Sequence, residues 1–133
     1  MRAKPKKLKI GNIRKRLQSE AEHLWKRYCL ERDKVCQLCG GSKVLQVHHL
    51  FSRGYKNIFI DVANGITLCS VCHTGVTFQD CHKEKLRRIV IAKDKDSYDR
   101  LYEQSLDRRP FLFWKDVNWL EQQRDVLNEG IKK

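Results

Sequence analysis

The sequence predicts an α+β fold: a small core of two short strands and a short helix, flanked by an N-terminal helix and a helical C-terminal region. Three observations carry this. Apolar residues at Ile13, Leu17, Ala21, Leu24, Trp25 and Tyr28 fall at helical spacing. The period then changes, because Val44 to Leu50 is β-branched and apolar-rich, and Ile66-Thr67-Leu68 follows an Asn64-Gly65 turn signal. Two Cys-x-x-Cys pairs, Cys36/Cys39 and Cys69/Cys72, enclose both strands with twenty-nine residues between the pairs.

In chain order, residues 1–12 read as a flexible basic arm, with Asn12 placed to cap a helix over 13–33. Trp25 and Tyr28 of that helix are expected in the core, and Cys29 as a small buried hydrophobe. Residues 34–80 form the core. Within it Val35 to Gly41 reads as a tight metal knuckle, Phe51 to Asn57 as a loop and Ile58 to Ala63 as ambiguous. A short helix is expected from Ser70 through His73, with Gly75 weakening its continuation. Residues 81–133 read as a helical extension, with periodic runs over 83–92 and 97–106 and a cap at Asp96 or Ser97. Arg109-Pro110 breaks the chain. The aromatic segment from Phe111 to Trp119 is expected to cover the core, and the last helix to stop near Gly130.

Lys and Arg outnumber Asp and Glu by 28 to 16, a formal net charge of +12. Such an excess attracts polyanions, nucleic acid first among them. The arm carries Lys4, Lys6, Lys7 and Lys9, and Arg14 follows, with no acid before Glu20. These are candidate phosphate contacts. No apolar run is long enough to span a bilayer, and the basic N-terminus lacks the apolar stretch of a secretory signal. The expectation is a cytoplasmic protein with no membrane partner, whose paired cysteines bind metal rather than form disulfides.

Four thiolates at this spacing close a tetrahedral structural zinc site with no open position. That zinc pins a segment holding His48, His49 and Asn64, and it fixes His73 directly after the second pair. Three of the five histidines inside or beside one metal-closed segment point to a second cation site or an acid/base group. Adjacent strand residues point to opposite faces, so His48 and His49 need a local bend before both serve one site.

The run Cys36-x-x-Cys39-Gly40, Val47-His48-His49-Leu50, Asn64-x-Ile66-x-Leu68-Cys69-x-x-Cys72-His73 resembles the HNH nucleases, with their zinc-stapled ββα-metal core. Leu30-Glu31-Arg32-Asp33 is similar to that family's approach to the first knuckle. The likeness covers about residues 30–75, and Asn64 and His73 have the family's nine-residue separation. Phe51-Ser52-Arg53-Gly54-Tyr55 further resembles the NinG-type recombination nucleases of phages, which implies a phage-encoded protein.

The resemblance implies that His49 is the general base, His48 and His73 hold a catalytic Mg2+ or Mn2+, and Asn64 holds the base-bearing loop. Those members of the family with a further histidine four residues after the second ligand have no counterpart here, since Thr77 stands there. Two protein ligands and several waters suit magnesium. Arg53 and Lys56 are candidate phosphate clamps, and His82 lies within sequence reach of the site. The implied function is metal-dependent hydrolysis of DNA phosphodiester bonds, nicking or double-stranded, with RNA open as a substrate and a monomer or homodimer as the acting species. The alternative is a non-catalytic zinc-stabilised nucleic-acid-binding module. That alternative needs only the thiolates and the charge, and leaves the coexistence of three imidazoles and Asn64 without a reason.

Overall fold

A computed structural model describes residues 10–132 and has the mixed architecture expected. Its elements are α1 (Ile10–Asp33), β1 (Leu45–His49), β2 (Gly65–Cys69), α2 (Ser70–Phe78), α3 (Asp80–Lys93), α4 (Lys95–Ser105) and α5 (Val117–Lys132). Short 3-10 turns lie at Lys56–Ile58, Val62–Asn64 and Leu112–Lys115. No helix among the described residues is long and apolar enough to cross a membrane.

α1 forms because Leu17, Ala21, Trp25 and Cys29 recur every fourth residue, and all four are fully buried. Its last turn closes through Lys34, whose amide donates to the Leu30 carbonyl at 2.9 Å while its φ of 65° turns the chain away. α5 lies along α1 in the same direction, with Arg124 beside Glu20 and Gly130 against Tyr28.

β1 and β2 pair antiparallel, with Val47 opposite Thr67, His48 opposite Ile66 and His49 opposite Gly65. The pleat sends alternate residues to two different cores. One core, on the α1 side, gathers Ala21, Trp25, Cys29, Phe59, Ile60 and Leu127, with Val47 packed against it. The other gathers Cys36, Ile66, Leu68, Val76 and Leu86 beneath α2 and α3. The ambiguous stretch after the first strand is therefore core: Ile58, Phe59 and Ile60 are buried, and the loop is held by 3-10 turns rather than a strand.

Several boundaries move. α1 already includes Ile10, so Asn12 lies inside the helix rather than at its cap. Residues 1–9, with Lys4, Lys6, Lys7 and Lys9, lie outside the described residues. α2 runs on through Gly75 to Phe78, and α5 through Gly130 to Lys132. Both glycines serve close approach rather than termination. A Cβ on Gly75 would sit 3.2 Å from His82 Nδ1, and one on Gly130 2.8 Å from Tyr28 Cε2. α4 is capped by Asp94, not by Asp96 or Ser97; its carboxylate accepts from the Ser97 amide at 3.1 Å. The late aromatics cover the core only in part, since Trp114 packs against it while Phe113 is 55% exposed.

The tightest joint is between α1 and β2. A Cβ on Gly65 would meet Cys29 Sγ and Trp25 Cζ2, each at 2.6 Å. Both are fully buried and have nowhere to go. Gly65→Ala is expected to destabilise the fold by roughly 1–3 kcal/mol through overpacking. A urea midpoint equal to that of the wild type would show that the joint is looser than this geometry.

Candidate functional site

The knuckle begins at Cys36, whose amide donates to the Gly41 carbonyl and whose carbonyl accepts from Gly40, each at 2.8 Å. Gly40 takes a φ of 76°, where a side chain would be strained. This turn aims Cys36 and Cys39 at the β2–α2 junction, where Cys69 and Cys72 wait. The four Sγ atoms lie within 4.8 Å of one another, and Cys39 and Cys69 are 3.7 Å apart. Tetrahedral thiolates at the usual zinc–sulfur length have an edge of roughly 3.8 Å, so the set fits a metal ion such as zinc. Backbone amides of Gly41 and Cys72 donate to Cys39 Sγ and Cys69 Sγ at 3.4 Å each, which favours the anionic sulfur. Burial opposes the thiolate at Cys36, but amides of Cys39, Cys69 and Leu38 outweigh it and bring the thiol down to about 6. Burial and the neighbouring thiols push Cys72 up. The chain's own dipoles thus favour a first negative charge, and a divalent cation is what would stabilise the others.

Cys69 also caps α2, its side chain accepting from Cys72 N. His73 follows in that first turn, and its ring meets His48 edge-on with centroids 5.3 Å apart. Burial, then the charges of His73, His49 and Lys83, push His48 down to about 4. It therefore presents a neutral imidazole near neutral pH, the form that ligates a cation. Among the described residues neither ring of this pair makes a hydrogen bond, so two unclaimed imidazoles converge across the β1–α2 gap.

His49 turns the other way, as strand alternation requires. It is stacked between Trp25, at 4.2 Å and 18°, and Phe59, at 4.7 Å and 21°. Its Nε2 lies 3.0 Å from the Phe59 carbonyl. A carbonyl only accepts, so Nε2 carries the proton and Nδ1 keeps the free lone pair. Burial brings His49 to about 4, against the opposing pull of that carbonyl.

Asn64 fixes the loop that follows. It is fully buried, its Oδ1 accepts from Phe51 N at 2.8 Å, and its Nδ2 donates to Ile58 O at 3.0 Å. Its backbone carbonyl accepts from Leu50 N at 2.9 Å. The chain bends directly after His49, and both histidines border one cleft of about 360 Å³ with Leu50, Ser52, Thr77 and Tyr98. A larger cavity of about 640 Å³, between the end of α1 and the α3–α4 corner, contains no histidine.

The other expected residues fare differently. Arg53 is paired with Glu22 at 2.8 Å and lies 5.0 Å over Phe59. Lys56 lies 4.1 Å over the same ring. Both brace the aromatic side of His49. His82 packs against Gly75 and lines a different cleft, with Cys72 and Phe78. Thr77 hydrogen-bonds the His73 carbonyl at 2.8 Å and lines the cleft. Arg14 lies on α1.

Sequence reasoning missed Lys83 and Arg87, which α3 brings to the rim of the cleft. Their signal was only a basic pair four residues apart on one helix face. It missed the Arg32–Asp33 brace as well. Arg32 donates to the carbonyls of Val62 and Gly65, each at 2.7 Å, and Asp33 accepts from Thr67 N at 3.0 Å.

Compared with family models, curated proteins and solved structures, the chain matches none.

Replacing Cys69 with Ser, or stripping the metal with a chelator, is expected to unfold the protein. Ion binding by such clusters rivals the whole stability of a small domain, about 5–15 kcal/mol. Loss of the helical circular-dichroism signal checks this, whereas an unchanged melting curve would show a fold independent of the cluster.

Proposed function

We propose that the chain is an HNH-type metal-dependent endonuclease that hydrolyses DNA phosphodiester bonds. Zinc would sit on Cys36, Cys39, Cys69 and Cys72, and Mg2+ or Mn2+ on His48 and His73. The carrying observation is the convergence of His48 and His73 from β1 and α2 beside a third imidazole whose tautomer is set by the Phe59 carbonyl.

A divalent cation at His48 and His73 would supply charge neutralisation for the phosphate and its leaving oxygen. The chain supplies the rest. His49 Nδ1 accepts the proton of the attacking water, and the stack of Trp25 and Phe59 keeps the ring from turning away. Asn64 adds no charge and holds the loop after His49 through Phe51 and Ile58. Lys83 and Arg87 at the cleft rim attract the phosphate. The net charge of +12 suits a long polyanion better than a small phosphoester.

Purified protein with Mg2+ or Mn2+ is expected to nick supercoiled plasmid, with a chelator abolishing the activity. His49→Gln keeps a planar group between the two aromatic rings yet removes the base, and should lower the rate roughly 10²–10⁴-fold with DNA affinity unchanged. His48→Ala should lose activity in a way that added Mn2+ partly restores. Wild-type cleavage by His49→Gln would refute the assigned base. DNA bound by the wild type but never cut would leave the non-catalytic zinc module as the better reading.

A further inference from the structure

The rings that hold His49 do not end at Phe59. Trp114 meets Phe59 edge-on at 5.0 Å and belongs to the turn Leu112–Lys115. The same turn builds a second aromatic group. Phe111 lies 5.7 Å from Phe113 and 5.3 Å from Trp119, and Phe113 lies 6.3 Å from Trp119. Trp119 packs against the α1-side core and Phe111 is half-buried, but the outer ring is not covered. Phe113 is 55% exposed and Leu112 71% exposed, side by side at the surface. Folding gains little from apolar rings held in water, and contiguous exposed patches mark interaction surfaces.

The charges around the patch decide what suits it. Arg108, Arg109 and Lys115 flank it in sequence. Two acids lie close, and both are engaged: Asp107 pairs with Arg109 at 2.7 Å, and Asp116 accepts from Trp119 N at 3.1 Å at the start of α5. Among the described residues Arg108 and Lys115 make no ion pair. Lys56 lies 5.4 Å over the Trp114 ring, and Gln18 of α1 donates to the Trp114 carbonyl at 2.6 Å. Arg14 stands one turn before Gln18 on the same helix face. Flat rings framed by unpaired cations match a nucleobase with its phosphates. A lipid surface would call for a long amphipathic helix, which this short turn is not.

We infer that Phe113, backed by Phe111 and Trp119, is a stacking site for an unpaired DNA base, with Arg108 and Lys115 holding the flanking phosphates. The ring path Phe113–Phe111–Trp119 lies in the segment that carries Trp114, and Trp114 touches the Phe59 that holds His49. With the proposed nuclease activity, a base-stacking site of this kind favours DNA with a single-stranded segment as the substrate. The substrate class rests on the nuclease reading; the binding site does not.

The test uses the full-length, zinc-loaded protein and fluorescein-labelled oligonucleotides read by anisotropy, without a cleavable step. Single-stranded DNA and a flap are expected to bind and to quench tryptophan emission. Phe113→Ala should weaken single-strand binding roughly tenfold and leave blunt duplex binding unchanged, while Phe113→Trp restores it. Lys115→Ala should reduce the slope of log affinity against log salt by about 0.7. Single-strand affinity unchanged in Phe113→Ala, or equal losses on duplex and single strand, would overturn the proposal. So would tighter binding of the matching RNA, or of anionic vesicles in place of DNA. A protein that stacks bases but never cuts would sink the nuclease reading alone.

Discussion

Four sulfur atoms drawn from two distant turns set the geometry on which the rest depends. Cys39 and Cys69 stand 3.7 Å apart although the whole of β1 and its loop separates them in sequence. Closing such a loop costs chain entropy that a domain of this size cannot easily offset from its core alone. A metal ion across the four thiolates would supply that free energy directly. The closure then acts on neighbours. Cys69 ends β2, its sulfur caps α2, and His73 sits one residue beyond Cys72. The position of His73 against His48 is therefore inherited from the cluster.

The second constraint is the face of α1. Gly65 lets the helix approach until Trp25 and Cys29 touch β2, and Trp25 Nε1 donates to the Asp61 carbonyl at 2.8 Å. Arg32 and Asp33 complete the joint from the last turn of the helix. The same face supplies one half of the sandwich around His49. Strand alternation thus divides the labour: the α2 side of β1 presents His48 to His73, and the α1 side clamps His49 in aromatic walls. Asn64, buried and bonded to Phe51 and Ile58, holds the loop that leaves β1, and both histidines border one cleft.

Much of this was legible in the sequence because the signals were local. The Cys-x-x-Cys pairs, the period of α1 and the Asn64-Gly65 turn each lie within a few residues. What stayed hidden depends on contacts across the chain. Gly75 and Gly130 read as helix breakers by propensity, yet each is small because His82 or Tyr28 presses against it. Gly65 read as a turn residue, and its partners Trp25 and Cys29 lie far back in α1. Arg53 and Lys56 read as free cations, but Glu22 and Phe59 engage them. Ile58 to Ile60 carried no clean period, since the buried turn that leaves the short 3-10 helix has none. Lys83 and Arg87 belong to a helix whose approach to the cleft only the tertiary fold creates.

The central claim is that one cluster of sulfur positions a second, separate cation site of nitrogen. Crystals of the protein soaked in Mn2+ and measured at the zinc and manganese absorption edges test it most directly. The account predicts zinc among Cys36, Cys39, Cys69 and Cys72, and manganese between the rings of His48 and His73. Manganese bound elsewhere, or a His48–His73 gap that takes no ion at saturating concentration, would contradict it.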